Sequence, residues 1–108
     1  MTHFLVLTQA AQDVLAERRR QVEVEGWTTG HDDEHRRGEL AAAASSYADP
    51  RVQARRHGAA CYIPMIWPWS PDWWKPKNKR TNLVRAGALI LAEIERIDRA
   101  AAAQEPKP

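Results

Sequence analysis

The chain is poor in several things that would narrow its function quickly. It has one cysteine, Cys61, one phenylalanine and five glycines in 108 residues. A lone thiol excludes an internal disulfide framework and fits a reducing compartment. Between Ala60 and Tyr62 it reads as a small packed side chain rather than a nucleophile, since no sequence neighbour favours the thiolate. No run approaches the roughly 20 apolar residues that a membrane-spanning helix requires. Phe4 to Leu7 is too short for the apolar centre of a secretion signal and lacks a basic flank. These absences predict a cytoplasmic protein with no membrane partner.

Charge of one sign is also scarce. The net charge is only +2, so a nucleic-acid role would rest on local clusters rather than on bulk charge. Three exist: Arg18 to Arg20, Arg51 with Arg55 and Arg56, and Lys75 to Arg80. Clusters of this size are ordinarily solvated faces, and the acidic run near His31 works against a DNA-bound surface. Nucleic acid is therefore disfavoured as a partner.

What is there suffices for one core. With 44% hydrophobic and 28% charged residues, the composition is that of a folded globular chain. The expected architecture is mainly α, a small single-domain fold of three to four helices over residues 1–103, with residues 104–108 as a disordered tail. Thr8 reads as the N-cap of a helix reaching about Glu25, with Ala11, Val14, Leu15, Arg18 and Val22 on its inner face and Gly26 ending it. A second helix is expected from Asp32-Asp33, acting as caps, to just before Pro50, with Leu40, Ala43, Ala44 and Tyr47 inward. Gly38 would weaken its first turns by roughly 1 kcal/mol. Asp49-Pro50 suggests a short third helix over Arg51 to His57, closed by Gly58.

From Pro64 to Pro76, four prolines and four tryptophans share thirteen positions, which forbids a regular helix and predicts an extended aromatic loop. At least two of those four tryptophans should be core, since a domain this small needs bulky side chains between its helices. A long amphipathic helix follows, from about Lys79 to Ala102. Its seam of Leu83, Gly87, Ile90, Ile94 and Ile97 is expected to pack against the first two helices.

Two segments carry chemistry. In Gly26-Trp27-Thr28-Thr29-Gly30-His31-Asp32-Asp33-Glu34-His35, two histidines four apart share a helix face, and imidazole with carboxylate is metal-capable. The same acids are also explained as helix caps, and the same residues as walls of an organic-ligand site. In Trp67 to Arg80, flat indoles can stack on planar ligands while Lys75, Lys77, Lys79 and Arg80 contact phosphate. If both segments fold against one another, Trp27, His31, Asp32, Asp33 and His35 form one wall of a cleft. Trp73, Trp74, Lys75, Lys77 and Arg80 form the other.

The combination of Glu17-Arg18, Gln21, Glu25-Gly26-Trp27-Thr28, His31-Asp32-Asp33, His35, Gly38-Glu39-Leu40-Ala41 and Tyr47 resembles a small protein family encoded in bacteriophages and prophages. Trp73-Trp74-Lys75-Pro76-Lys77, Arg80, Leu83 to Ile90 and Ala92 to Arg96 extend the resemblance over about Leu15 to Arg99. It implies no particular activity. The Gly26-Trp27-Thr28-Thr29-Gly30 turn and the order of elements are also similar to the ryanodine-receptor repeat module, although that module's Pro-Tyr signature is missing. Both resemblances imply a compact binding module.

The sequence-based expectation is therefore a phage-type protein that captures a nucleotide-like small molecule or a host factor without turnover, as a counter to host defence. No metal, no cofactor and no catalytic residue are assigned in that reading. One alternative is a metal-dependent nucleotide hydrolase with His31, Asp32 and His35 as ligands and Glu34 or Glu39 as base. Another is a DNA-binding or protein-interaction accessory protein. A homo-oligomer is expected in each case, because a chain of this size can complete its core with a second copy.

Overall fold

The computed structural model describes residues 6–49, 54–57 and 61–104. In chain order they form α1 (Gln9–Glu23), α2 (Thr29–Asp33), α3 (Glu39–Ala48), β1 (Ala54–His57), β2 (Cys61–Pro64), a 3₁₀ turn at Pro71–Trp73 and α4 (Lys79–Ala103). The protein is mainly helical and ends in a long helix, as its periodicity predicts. Among the described residues no helix is long and apolar enough to cross a membrane.

The Thr8 hydroxyl accepts the Ala11 N–H at 3.1 Å and so caps α1. The chain then reverses at Gly26, whose φ of +76° lies in the left-handed region that favours glycine. This reversal lets the Trp27 N–H donate to the Gln21 carbonyl at 2.9 Å, which holds Trp27 against the end of α1.

The single helix expected from Asp32 to Asp49 is instead two. Thr28, not the acidic pair, caps the first of them, accepting the His31 N–H at 3.3 Å. The carboxylates of Asp32 and Asp33 are drawn away to arginines on α1 and α4. Gly38, with φ +84°, then opens α3, so the glycine expected as a weak point inside a helix is the hinge between two.

The short helix expected over Arg51 to His57 is not formed in its described part, residues 54–57. Ala54–His57 is a strand paired antiparallel with Cys61–Pro64, in the register Ala54 with Pro64 and His57 with Cys61. Pairing satisfies the backbone N–H and C=O groups of both short segments at once, which one turn of isolated helix does poorly. The remaining part of that expected helix, residues 51–53 with Gly58, lies outside the described residues. So do residues 1–5, the tail from residue 105 onward and the Cys61 side chain.

Helix α4 is the spine. Leu40, Ala43, Ala44 and Tyr47 of α3 form the core with Ala86, Leu89 and Ala92 of α4, and Ile63 and Trp67 close it. Alanines on both helices permit a close approach. On a neighbouring face α1 meets α4 at Gly87, where an added Cβ would come within 3.2 Å of Val14. Ion pairs flank that contact, Arg80 with Asp13 at 2.9 Å and Arg18 with Glu95 at 3.1 Å.

The expected α4 seam is largely not the packed one. Leu83, Ile90, Ile94 and Ile97 are 46%, 47%, 49% and 51% exposed, while Ala86, Ala88, Leu89 and Ala92 are buried. Gly87 of the expected seam meets Val14 of α1. Small side chains won the interior because they let three helices approach, leaving the larger ones half-exposed. Leu15 of α1 is likewise half-exposed rather than inward.

Candidate functional site

The turn after α1 and the loop after β2 meet, and between them opens a cleft of about 390 Å³. Its walls are Trp27, His31 and His35 from the first segment and Trp69, Ser70 and Trp73 from the second, with Glu25 at one side. The Trp27 ring lies 5.4 Å from Trp69 and 6.5 Å from Trp73, centroid to centroid, and its plane is nearly parallel to that of His31 at 6.3 Å.

All five tryptophans belong to one connected aromatic cluster, which Tyr47 joins at its far end. Their indole N–H groups separate structural from available rings. Trp67 donates to the Ser70 carbonyl and Trp74 to the Tyr62 carbonyl, both at 3.0 Å. Trp69 Nε1 is buried with no hydrogen-bond partner among the described residues. Trp73 is 43% exposed, with the Lys75 ammonium 5.5 Å from its ring centroid.

The two histidines meet edge to face, their Nε2 atoms 3.4 Å apart. Each turns its other ring nitrogen toward a carboxylate: His31 Nδ1 lies 3.5 Å from Asp32 Oδ1, and His35 Nδ1 lies 3.5 Å from Glu39 Oε2. Burial pushes the Glu39 carboxyl up, but its own N–H, the Arg37 N–H and His35 together hold it below the usual carboxylate range.

The structure brings part of the sequence-derived site together. Trp27, His31, His35 and Trp73 line the cleft, while Lys75 lines a crevice that shares Trp27 and Trp73 with it. Asp32 stands behind His31, fully buried, with Oδ2 2.9 Å from Arg18. That places it on the Nδ1 side of His31 and not beside the paired Nε2 atoms, so the ligand set His31, Asp32 and His35 does not converge on one point. Asp33 pairs with Arg99 at 2.7 Å, which raises the guanidinium pKa.

The basic wall does not form on the cleft. Trp74 packs on Tyr47, 4.7 Å between centroids, and the Lys77 N–H donates to Asn82 at 2.7 Å. Arg80 pairs with Asp13. A small crevice on the other side of Trp27 and Trp73 holds Arg20, Lys75 and Arg85 beside Glu17, Gln21 and Tyr47. Cations are thus near the cleft without lining it.

Sequence reasoning missed Glu25, Trp69 and Ser70. Glu25 immediately precedes the Gly-Trp turn, and Trp69 with Ser70 lies inside the Trp-Pro-Trp-Ser-Pro run, so adjacency to those motifs was the signal available. Among the described residues no group of three or more His, Cys, Asp or Glu side chains could hold a metal ion. No protein-family model matches the chain, and neither a curated protein nor a solved structure matches it.

Proposed function

We propose that the protein binds a small molecule bearing a flat, nitrogen-containing ring of the nucleobase type, held between Trp27, Trp69 and Trp73. The observation that carries this reading is the convergence of three indoles and two imidazoles on one cleft of about 390 Å³, within the roughly 300 to 1,000 Å³ usual for small-molecule sites. Stacking on such rings contributes about 1 to 3 kcal/mol per base and tolerates base identity. Glu25 can accept from an exocyclic amino group, and the unused Trp69 N–H is a donor that a small shift would offer. The cations lie to one side, so a phosphate would extend past Trp73 toward Lys75 rather than meet a basic wall. Capture without turnover, expected from the sequence, agrees with a site made of stacking surfaces.

The test is direct. Titration with nucleosides, nucleotides, cyclic dinucleotides and ADP-ribose should quench tryptophan fluorescence saturably for at least one class. The same ligand should raise the melting temperature, because binding to the folded state alone contributes about 2.7 kcal/mol at 100 times Kd. A flat response across the panel at millimolar ligand would end the proposal.

The exposed stripe of Leu83, Ile90, Ile94 and Ile97 favours self-association as part of the same reading. Four half-exposed aliphatic side chains spaced seven, four and three apart form an a/d-type line on a 25-residue helix. Two copies of such a line can cover one another about a twofold axis. Light scattering after size exclusion should give the dimer mass, and Ile90→Glu with Ile94→Glu should give the monomer. A monomer for the unmodified chain at high micromolar concentration would refute it.

A further inference from the structure

We infer that His31 and His35 form a two-histidine site for a zinc-type divalent cation in the wall of the cleft. The inference goes beyond the planar-ligand reading and does not depend on it.

The first support is the arrangement of the four nitrogens. The Nδ1 atoms face Asp32 and Glu39 at 3.5 Å each, and a proton on Nδ1 is the tautomer that a carboxylate at that position selects. For His31 the case is sharper. Its Nδ1 and Asp32 Oδ1 are both buried and have no hydrogen-bond partner among the described residues, so a proton between them answers both. Asp32 cannot rotate away, because its second oxygen is held by Arg18 at 2.9 Å.

That tautomer leaves both Nε2 atoms as bare lone pairs 3.4 Å apart. Two lone pairs at this distance repel unless a positive centre lies between them. A cation at the usual Zn–N distance of about 2.0 to 2.1 Å from each nitrogen would subtend about 110°, the tetrahedral angle, and a rotation of the rings from their edge-to-face contact would aim both lone pairs at it. The backing carboxylates make each imidazole a better donor, as carboxylate–histidine–zinc units do. The neutral N-donor pair suits zinc, copper or nickel rather than magnesium or calcium. Two imidazoles supply half of a tetrahedron, and the cleft leaves the remaining positions to water or to a ligand atom.

The rival occupant of the gap is a proton, giving an imidazole–imidazole hydrogen bond and no metal site. Calorimetric titration of the metal-stripped, tag-free full chain with zinc chloride separates the two. One zinc per chain is expected, with affinity at least tenfold weaker in His31→Ala and in His35→Ala and unchanged in His57→Ala and His3→Ala. Glu39→Gln should weaken it by about 10- to 100-fold. Copper substituted into the unmodified chain should show an electron paramagnetic resonance spectrum with two equivalent nitrogens, a readout that needs no variant to fold. Absence of stoichiometric zinc binding, or binding that both alanine variants retain, would overturn the site. Planar-ligand binding to the metal-free chain is measured separately by fluorescence, so failure of one reading is distinguishable from failure of the other.

Discussion

The buried Asp32 carboxylate lies 2.9 Å from Arg18 Nη2, and the same guanidinium reaches Glu95 at 3.1 Å. One arginine of α1 thereby ties α2 and α4 together. It also sets the position of His31, whose backbone neighbour is the carboxylate it holds. Removing the arginine would leave a carboxylate that is 0% exposed without its counter-charge. Such a break costs about 3 to 5 kcal/mol.

Arg18→Met should accordingly lower unfolding stability by that amount, measured by urea denaturation. Combining it with Asp32→Leu should recover part of the loss, because two apolar groups replace a half-satisfied pair. A loss below 1 kcal/mol in the single variant would mean that the pair is not the clamp described.

The approach of α1 to α4 depends on Gly87, since a Cβ there would stand 3.2 Å and 3.3 Å from the two Val14 methyls. Gly87→Leu should destabilise the protein by about 1 to 3 kcal/mol through overpacking. Val14→Ala in the same chain should restore part of this by vacating the space. If Gly87→Leu were neutral by thermal melting, α1 would not be seated where the contact puts it.

Two tryptophans of one cluster should separate cleanly. Trp67 is 5% exposed and satisfied by the Ser70 carbonyl, so Trp67→Ala should cost about 3 to 5 kcal/mol. Trp73 is nearly half exposed, so Trp73→Ala should cost about 1 kcal/mol or less while weakening planar-ligand affinity tenfold or more. Equal thermal losses in the two variants would contradict this division of labour.

Burial pushes the Tyr47 phenol above its ordinary value of 10.0, with the Lys75 N–H and Arg85 opposing the shift. The neutral form is the one the fold favours. Its contribution is therefore intact below the unfolded pKa and is lost as pH rises through the raised folded value. The urea midpoint should fall as pH rises above the ordinary phenol value of 10.0, and Tyr47→Phe should reduce that fall. An identical pH slope in both proteins would show that other groups carry the alkaline loss.

Local signals were legible where a short-range rule decides the outcome. Thr8 as a cap, the stop near Gly26 and the helix from Lys79 onward follow from capping chemistry and period, which involve residues within one or two turns. The proline-tryptophan run reads as irregular because proline lacks the donor that a helix needs. Asp32 and Asp33 misled for the opposite reason. Both are good caps by type, but Arg18 and Arg99 lie 14 and 66 residues away in the chain, and nothing local announces them.

Half of the candidate site was visible on the same terms. Trp27, His31 and His35 sit in one short motif, so their proximity is almost guaranteed by sequence distance. Which tryptophans face them is not. Trp69 and Trp73 reach the cleft while Trp67 and Trp74 pack inward, because the satisfied indole N–H groups of Trp67 and Trp74 anchor the loop on either side of the 3₁₀ turn at Pro71–Trp73.

By itself the sequence determined the class of fold, the caps and breaks of its helices, and the two polar-aromatic segments from which any cleft had to be built. Tertiary packing alone decided which face of α4 is interior, since that choice compares how closely alternative faces let α1 and α3 approach. It also decided the partners of each buried charge. A buried ion gains its stability from a counter-ion supplied by another element, and that choice is made only when all the elements have assembled.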